Sequence, residues 1–75
     1  MTRDEALHQL FDRIDVLRPK ALRTLAMSLP SDPTEAITDL AYTIQLPPAL
    51  TVSLISNNIN IATELENYAR WKANQ

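Results

Sequence analysis

The sequence predicts an all-α protein, a compact bundle of four helices, and three observations lead to this class. Five prolines divide the chain into segments. Each segment repeats apolar residues at spacings of three and four, which places them on one face of a helix. An isolated two-stranded sheet would be marginally stable, and no third strand is readable. We expect one domain, residues 1–75, with helices at about 3–17, 19–29, 33–46 and 48–72.

The first helix begins with a capping box. Thr2 and Glu5 have the Thr-x-x-Glu spacing in which each side chain bonds the backbone N–H of the other. Pro19 disfavours helical backbone at Arg18, so the helix should end near that residue. Its apolar face is predicted to consist of Leu7, Leu10, Phe11, Ile14 and Leu17.

The second and third helices are bounded by prolines. Pro19 and Pro33 are predicted to stand at first helical positions, where the missing N–H costs nothing. Asp32 is the expected N-cap of the third helix. Pro30 ends the second helix, and the Pro47-Pro48 pair ends the third. The predicted apolar faces are Leu22, Leu25, Ala26 and Leu29 in the second helix, and Ile37, Leu40, Ala41 and Ile44 in the third.

The stretch 50-LTVSLISNNINIATEL-65 has two interpretations. As a β-hairpin turning at Asn57-Asn58, its alternate apolar residues would share one face. As a helix, its apolar phase runs through the Asn pair and continues to Arg70, where no hairpin would extend. This continuity favours one long last helix. A kink near residues 57–60 stays open, because Asn and Ser compete for backbone hydrogen bonds.

Composition argues against catalysis and against bound cofactors. The chain has no cysteine and one histidine, so it lacks a thiol nucleophile and the residues for a thiolate or histidine metal site. His8 and Asp12 are four residues apart and would meet on a helix face. No nucleophile accompanies them, so we interpret them as a solvated surface pair. We expect no enzyme, no cofactor and no metal.

The sequence also bears on location. No run of 18 or more apolar residues is present, and the N-terminus lacks the apolar block of a signal peptide. The net charge of −2 gives no general attraction to nucleic acid or to an anionic membrane. We expect a soluble, cytoplasmic protein with no membrane partner.

The expected function is binding to another protein, as a regulator, inhibitor, adaptor or accessory subunit. With Val52 and Ile59 at its border, the apolar stripe of the last helix is wider than one neighbour usually buries. Asn58 falls inside that stripe, where a polar residue can fix the register of a helix interface. Tyr68 and Trp71 are residue types enriched at interfaces. A homodimer through this helix would bury the extra width.

A second partner-binding candidate is basic. Arg18, Lys20 and Arg23 cluster with Arg13 around the turn between the first two helices. Either this turn packs near an acidic helix of the same chain, or it binds an acidic partner. The sequence does not identify that partner.

The alternative function is a helix-turn-helix regulator that binds DNA through residues 33–58. Its recognition helix would present polar side chains able to reach base edges. However, no Lys or Arg occurs between Thr24 and Ala69, so the reading surface lacks the charge that binds phosphates. This absence makes nucleic acid an unfavoured partner. The polar side chains concerned are Thr51, Ser53, Ser56, Asn57 and Asn60.

Overall fold

A computed structural model, which describes residues 1–75, contains five α-helices and no strand. The all-α class is confirmed, and the prediction of four helices is wrong by one. None of the helices has the length and apolar character needed to cross a membrane. The helices are α1 (Arg3–Ile14), α2 (Pro19–Ser28), α3 (Pro33–Ile44), α4 (Pro48–Ser56) and α5 (Ile61–Ala73).

The predicted helix starts are confirmed by their caps. The Thr2 hydroxyl accepts a hydrogen bond from the Glu5 N–H at 3.2 Å, and the Glu5 carboxylate accepts one from the Thr2 N–H at 3.1 Å. Asp32 accepts the Glu35 N–H at 3.0 Å and begins α3. The first three helices end one to three residues earlier than predicted, because the last residues before each proline form the turn.

The long last helix is broken at Asn57–Asn60, and a helix C-cap explains the break. Asn58 has a φ of 54°. Its N–H donates to the carbonyl of Ile55 at 3.0 Å, and the N–H of Ile59 donates to the carbonyl of Leu54 at 3.3 Å. This pair of bonds is the Schellman motif, which ends a helix through one left-handed residue. Asn60 then begins α5 by accepting the Thr63 N–H at 3.2 Å.

The core is formed mainly by three sets of helix contacts. α2 packs along α5, whereas α1 and α3 both pack against α4. α3 also contacts α5. The break lets α4 and α5 approach the core from different directions, so each buries its own apolar residues. Every buried residue is apolar, and these residues form one cluster: Ala6, Leu7, Leu10, Ile14, Leu22, Ala26, Ala36, Ile37, Leu40, Leu46, Leu50, Leu54, Ile59, Ile61, Leu65 and Ala69.

Candidate functional site

The predicted partner residues of the last segment do not form one surface. Val52 lies on the outside of α4 with 64% of its surface exposed, whereas Ile59 is 1% exposed and belongs to the core. Asn58 is exposed in the turn and lies on no helix face. The wide apolar stripe was an artefact of treating two helices as one. The predicted partner residues Val52, Asn58 and Ile59 therefore do not share one helix face.

The C-terminal aromatics form a short stack between α1 and α5. The Tyr68 ring lies 4.8 Å from the Phe11 ring, nearly parallel to it, and 5.5 Å from the tilted Trp71 ring. Trp71 keeps 57% of its surface exposed. These rings line a shallow groove together with His8 and Asp12, so the predicted surface pair lies beside the stack.

Polar contacts tie the same two helices together. The Tyr68 hydroxyl donates to the Asp15 carboxylate at 2.6 Å. This bond raises the pKa of Tyr68 to about 12, and it lowers the pKa of Asp15 with further help from the nearby Lys72 charge. Lys72 also donates to the carbonyls of Asp15, the C-cap of α1, and of Leu17 in the turn that follows. Tyr68 therefore has a structural role in joining α5 to α1.

The predicted basic cluster has no acidic partner within the chain. Arg18, Lys20 and Arg23 are all exposed. The structure contains two ion pairs, Arg3–Glu64 at 3.3 Å and Lys72–Asp15 at 3.6 Å, and neither involves the cluster. No cation of this cluster therefore forms an ion pair within the chain, although α2 packs along α5, the helix that carries Glu64 and Glu66.

Two of these cations, Arg18 and Lys20, line the α2–α3 groove. We use this name for the groove that is bordered by the α1–α2 turn, by α2 and by the C-terminal end of α3. It is open because α2 packs on α5 and α3 packs on α4, with no extensive contact between α2 and α3. No acidic residue lines it. The ten lining residues are Val16, Leu17, Arg18, Lys20, Ala21, Thr24, Leu25, Ser28, Thr43 and Ile44.

The floor of the α2–α3 groove is apolar. Leu17, Leu25 and Ile44 pack against the core with one side and stay half-buried, so their other side faces the groove. Val16 stands at its edge with 84% of its surface exposed. An apolar floor with cations at its rim is chemically suited to a partner that carries both apolar and acidic side chains.

Arg23, the third predicted cation, lies elsewhere. It lines a separate small groove between α2 and α5, together with Met27, Glu66 and Arg70. The fold therefore divides the basic cluster between two faces of α2. Only Arg18 and Lys20 border the apolar floor.

Four of the five polar residues of the helix-turn-helix alternative form side-chain hydrogen bonds with the backbone. The Thr51 and Ser56 hydroxyls donate to the carbonyls of Pro47 and Ser53. The Asn57 amide donates to the Ser53 carbonyl at 2.7 Å. Asn60 caps α5. These side chains hold the α3–α4 and α4–α5 turns in shape.

Sequence reasoning missed Val16 and Tyr42 as surface residues. Tyr42 has 90% of its surface exposed on α3. The signal was present, since both residues fall off the apolar stripes of their own helices. Helical periodicity could not predict the groove itself, because Val16 and Ile44 are distant in sequence and come to line the same groove only in the fold.

No protein-family model matches the chain, and neither a curated protein nor a solved structure matches it. A function is therefore inferred from the surfaces of the molecule itself.

Proposed function

We propose that the chain is a non-catalytic protein-binding module whose α2–α3 groove binds an acidic amphipathic helix of a partner. The observation that carries this proposal is an apolar groove bordered by Arg18 and Lys20, two exposed cations without an ion-pair partner. The surface differs from the expected one, the apolar face of the last helix, because that helix is two helices. A cytoplasmic location stays part of the proposal.

The apolar floor would supply most of the binding free energy. Leu17, Leu25 and Ile44 form a strip that an apolar helix face could cover. Burial of apolar surface contributes about 25 cal/mol per Å². Recognition of a helix by an apolar groove commonly uses residues spaced three, four and seven apart. A groove between two helices has the right shape for such a ligand.

The rim charges would supply selectivity. Arg18 and Lys20 both line the groove and no carboxylate does, so a basic helix would be repelled and an acidic one attracted. Exposed charges of this kind mainly change the association rate and its salt dependence. We therefore expect affinity to fall as salt is added.

No observation favours DNA binding to the same degree. Of the five polar side chains that could reach bases, Thr51, Ser56 and Asn57 donate to backbone carbonyls and Asn60 caps α5. The absence of Lys and Arg between Thr24 and Ala69 leaves that face without phosphate contacts.

Selection from a displayed library of helical peptides tests the proposal. We expect enriched peptides to carry apolar residues along one helix face with Asp or Glu beside them. The double substitution Arg18→Glu and Lys20→Glu should weaken these peptides at least about tenfold, measured by fluorescence anisotropy. Amide chemical shifts on peptide addition should change along α2 and at Thr43 and Ile44.

Arg13→Glu is the matched control. Arg13 is an exposed cation near the same turn that does not line the groove. Arg13→Glu changes the charge at its position by the same amount as each of the two groove substitutions. It should leave the affinity for the selected peptides within about twofold of wild type. Enrichment of basic peptides, an equal loss in the Arg13 variant, or a selection that enriches nothing would each overturn the proposal.

A further inference from the structure

The outer face of α3 has the chemistry that the α2–α3 groove requires. Glu35, Asp39 and Tyr42 are all exposed and, at about 100° per residue, project within a sector of about 60°. Tyr42, at 90% exposure, is the most exposed large apolar side chain of the molecule. No cation occurs between Thr24 and Ala69, so α3 carries none. This face is an acidic helix surface with one projecting aromatic ring.

This acidic face and the basic groove are neighbours on one side of the molecule. A smaller cleft between α2 and α3 is lined by Asp39 and Tyr42. It shares Leu25, Ser28 and Thr43 with the α2–α3 groove. The two features therefore form a continuous patch, with cations at one end and carboxylates at the other.

We infer that the α2–α3 groove is occupied by the outer face of α3 of a second copy, in a two-fold symmetric dimer. A two-fold axis presents the same patch on both chains, so a patch with cations at one end and carboxylates at the other is complementary to itself. Each Tyr42 ring enters the apolar floor of the other copy, and each Asp39 meets the partner subunit's Lys20. The inference rests on the proposed function, because it uses the same groove.

Several exposed groups gain partners in this dimer. Val16 and Tyr42, at 84% and 90% exposure, are covered together with the half-exposed floor. Lys20 and Asp39, which form no ion pair within the chain, neutralise each other across the axis. A chain of 75 residues with no cysteine has a small core, and association is a common source of additional stability at this size.

Sedimentation equilibrium of the full chain from micromolar to millimolar concentration tests the inference. We expect a concentration-dependent monomer–dimer equilibrium that weakens with added salt. Tyr42→Ala should raise the dimer dissociation constant at least about tenfold. Tyr42 is almost fully exposed, so this variant should keep its fold, which circular dichroism verifies. A wild-type chain that stays monomeric at millimolar concentration overturns the inference.

A charge exchange tests which groups meet. Lys20→Glu and Asp39→Lys should each weaken the dimer at least about tenfold on its own, because each places like charges opposite one another. An equimolar mixture of the two variants should recover wild-type affinity, since both cross-axis pairs are then of opposite sign. Arg13→Glu should change nothing. Failure of the mixture to recover, or an equal effect of the Arg13 variant, would show that the dimer uses another surface.

The two proposals fail in different ways. The Tyr42→Ala variant leaves every lining residue of the α2–α3 groove unchanged, so it can be used for peptide selection as a monomer. If acidic helical peptides bind this variant while the wild type never dimerises, the dimer is wrong and the protein-binding function stands. If the wild type dimerises with the expected charge exchange but no peptide is selected, the groove serves self-association and the broader function is wrong.

Discussion

Gln45 and Asn58 hold the two left-handed backbone conformations of the molecule, with φ of 56° and 54°. Glycine usually occupies such positions, but this chain contains none. Asparagine adopts this conformation more readily than most residues, because its short polar side chain can bond locally. Both residues end helices: the N–H of Leu46, next to Gln45, donates to the Ala41 carbonyl at 2.9 Å, as Ile59 does to Leu54. Each therefore sets the direction in which the next helix leaves.

Asn58 can be tested by substitution. Asn58→Leu should lower the free energy of unfolding by about 1 kcal/mol, because a larger side chain disfavours left-handed backbone. Asn58→Gly should leave it within about 0.5 kcal/mol of wild type or raise it. Urea denaturation gives both values. If Leu were instead stabilising, Asn58 would be a polar residue on an apolar helix seam, which is the role expected from the sequence.

At the scale of elements, the joint between α1 and α5 depends on a few polar contacts at the end of α1. Lys72 donates to the carbonyls of Asp15 and Leu17 just after α1, and Tyr68 both stacks on Phe11 and donates a hydrogen bond to Asp15. A positive charge at a helix C-terminus also interacts favourably with the helix dipole. We therefore expect the stability that these contacts contribute to be lost at both low and high pH.

The direction of that response follows from the two pKa shifts. Asp15 has a lowered pKa in the folded chain, so its contribution to stability is present above the pKa of the unfolded carboxyl and is lost as pH falls through the folded value. Tyr68 has its pKa raised to about 12, so its contribution is present below the ordinary tyrosine value of about 10. That contribution is lost as pH rises through about 12.

Tyr68→Phe should therefore remove the alkaline dependence and reduce the acid one, to which Lys72 still contributes, while keeping the ring stack. We expect a lower urea midpoint at neutral pH and a smaller loss of stability below about pH 4 than in wild type. Absorbance titration should lose the tyrosine that ionises near pH 12. Tyr42→Phe is the control, because Tyr42 is exposed and its hydroxyl forms no hydrogen bond in the structure. This variant should keep the wild-type dependence of stability on pH. An unchanged acid limb in the Tyr68 variant would contradict this account.

At the scale of the whole molecule, one apolar cluster holds all five helices. Ile59 lies in the turn between α4 and α5 but is 1% exposed, so the turn itself contributes to the core. No buried side-chain polar atom lacks a hydrogen-bond partner. With a small core and marginal total stability, each large core residue should account for a sizeable share of the stability.

Ile59→Ala should lower the free energy of unfolding by about 3 kcal/mol, because it leaves a cavity in the core. Val52→Ala, on the exposed side of α4, should change it by less than about 0.5 kcal/mol. Urea denaturation of the pair separates a core role from a surface role. Equal small effects would place Ile59 at the surface, where the sequence interpretation had put it.

The sequence by itself determined the helical class and most helix starts. Thr2, Asp32 and the prolines act on backbone within a few residues of themselves, so their effects can be read locally. The basic residues Arg18 and Lys20 were likewise identified as exposed partner candidates. Their place beside an apolar floor could not be predicted, because that floor combines residues from α2, α3 and the α1–α2 turn.

Only the tertiary structure decided the break at Asn57–Asn60 and the position of the α2–α3 groove. Leu54 and Ile61 bury against the same core from separate helices, so their spacing stays compatible with one continuous helix. Periodicity records which residues are buried, but it does not record the direction from which each helix reaches the core. The sequence is equally unable to predict which charged residues form ion pairs. Whether Lys20 meets a carboxylate depends on how the helices are arranged, and in this fold the nearby acidic face of α3 points outward, towards solvent or a second copy.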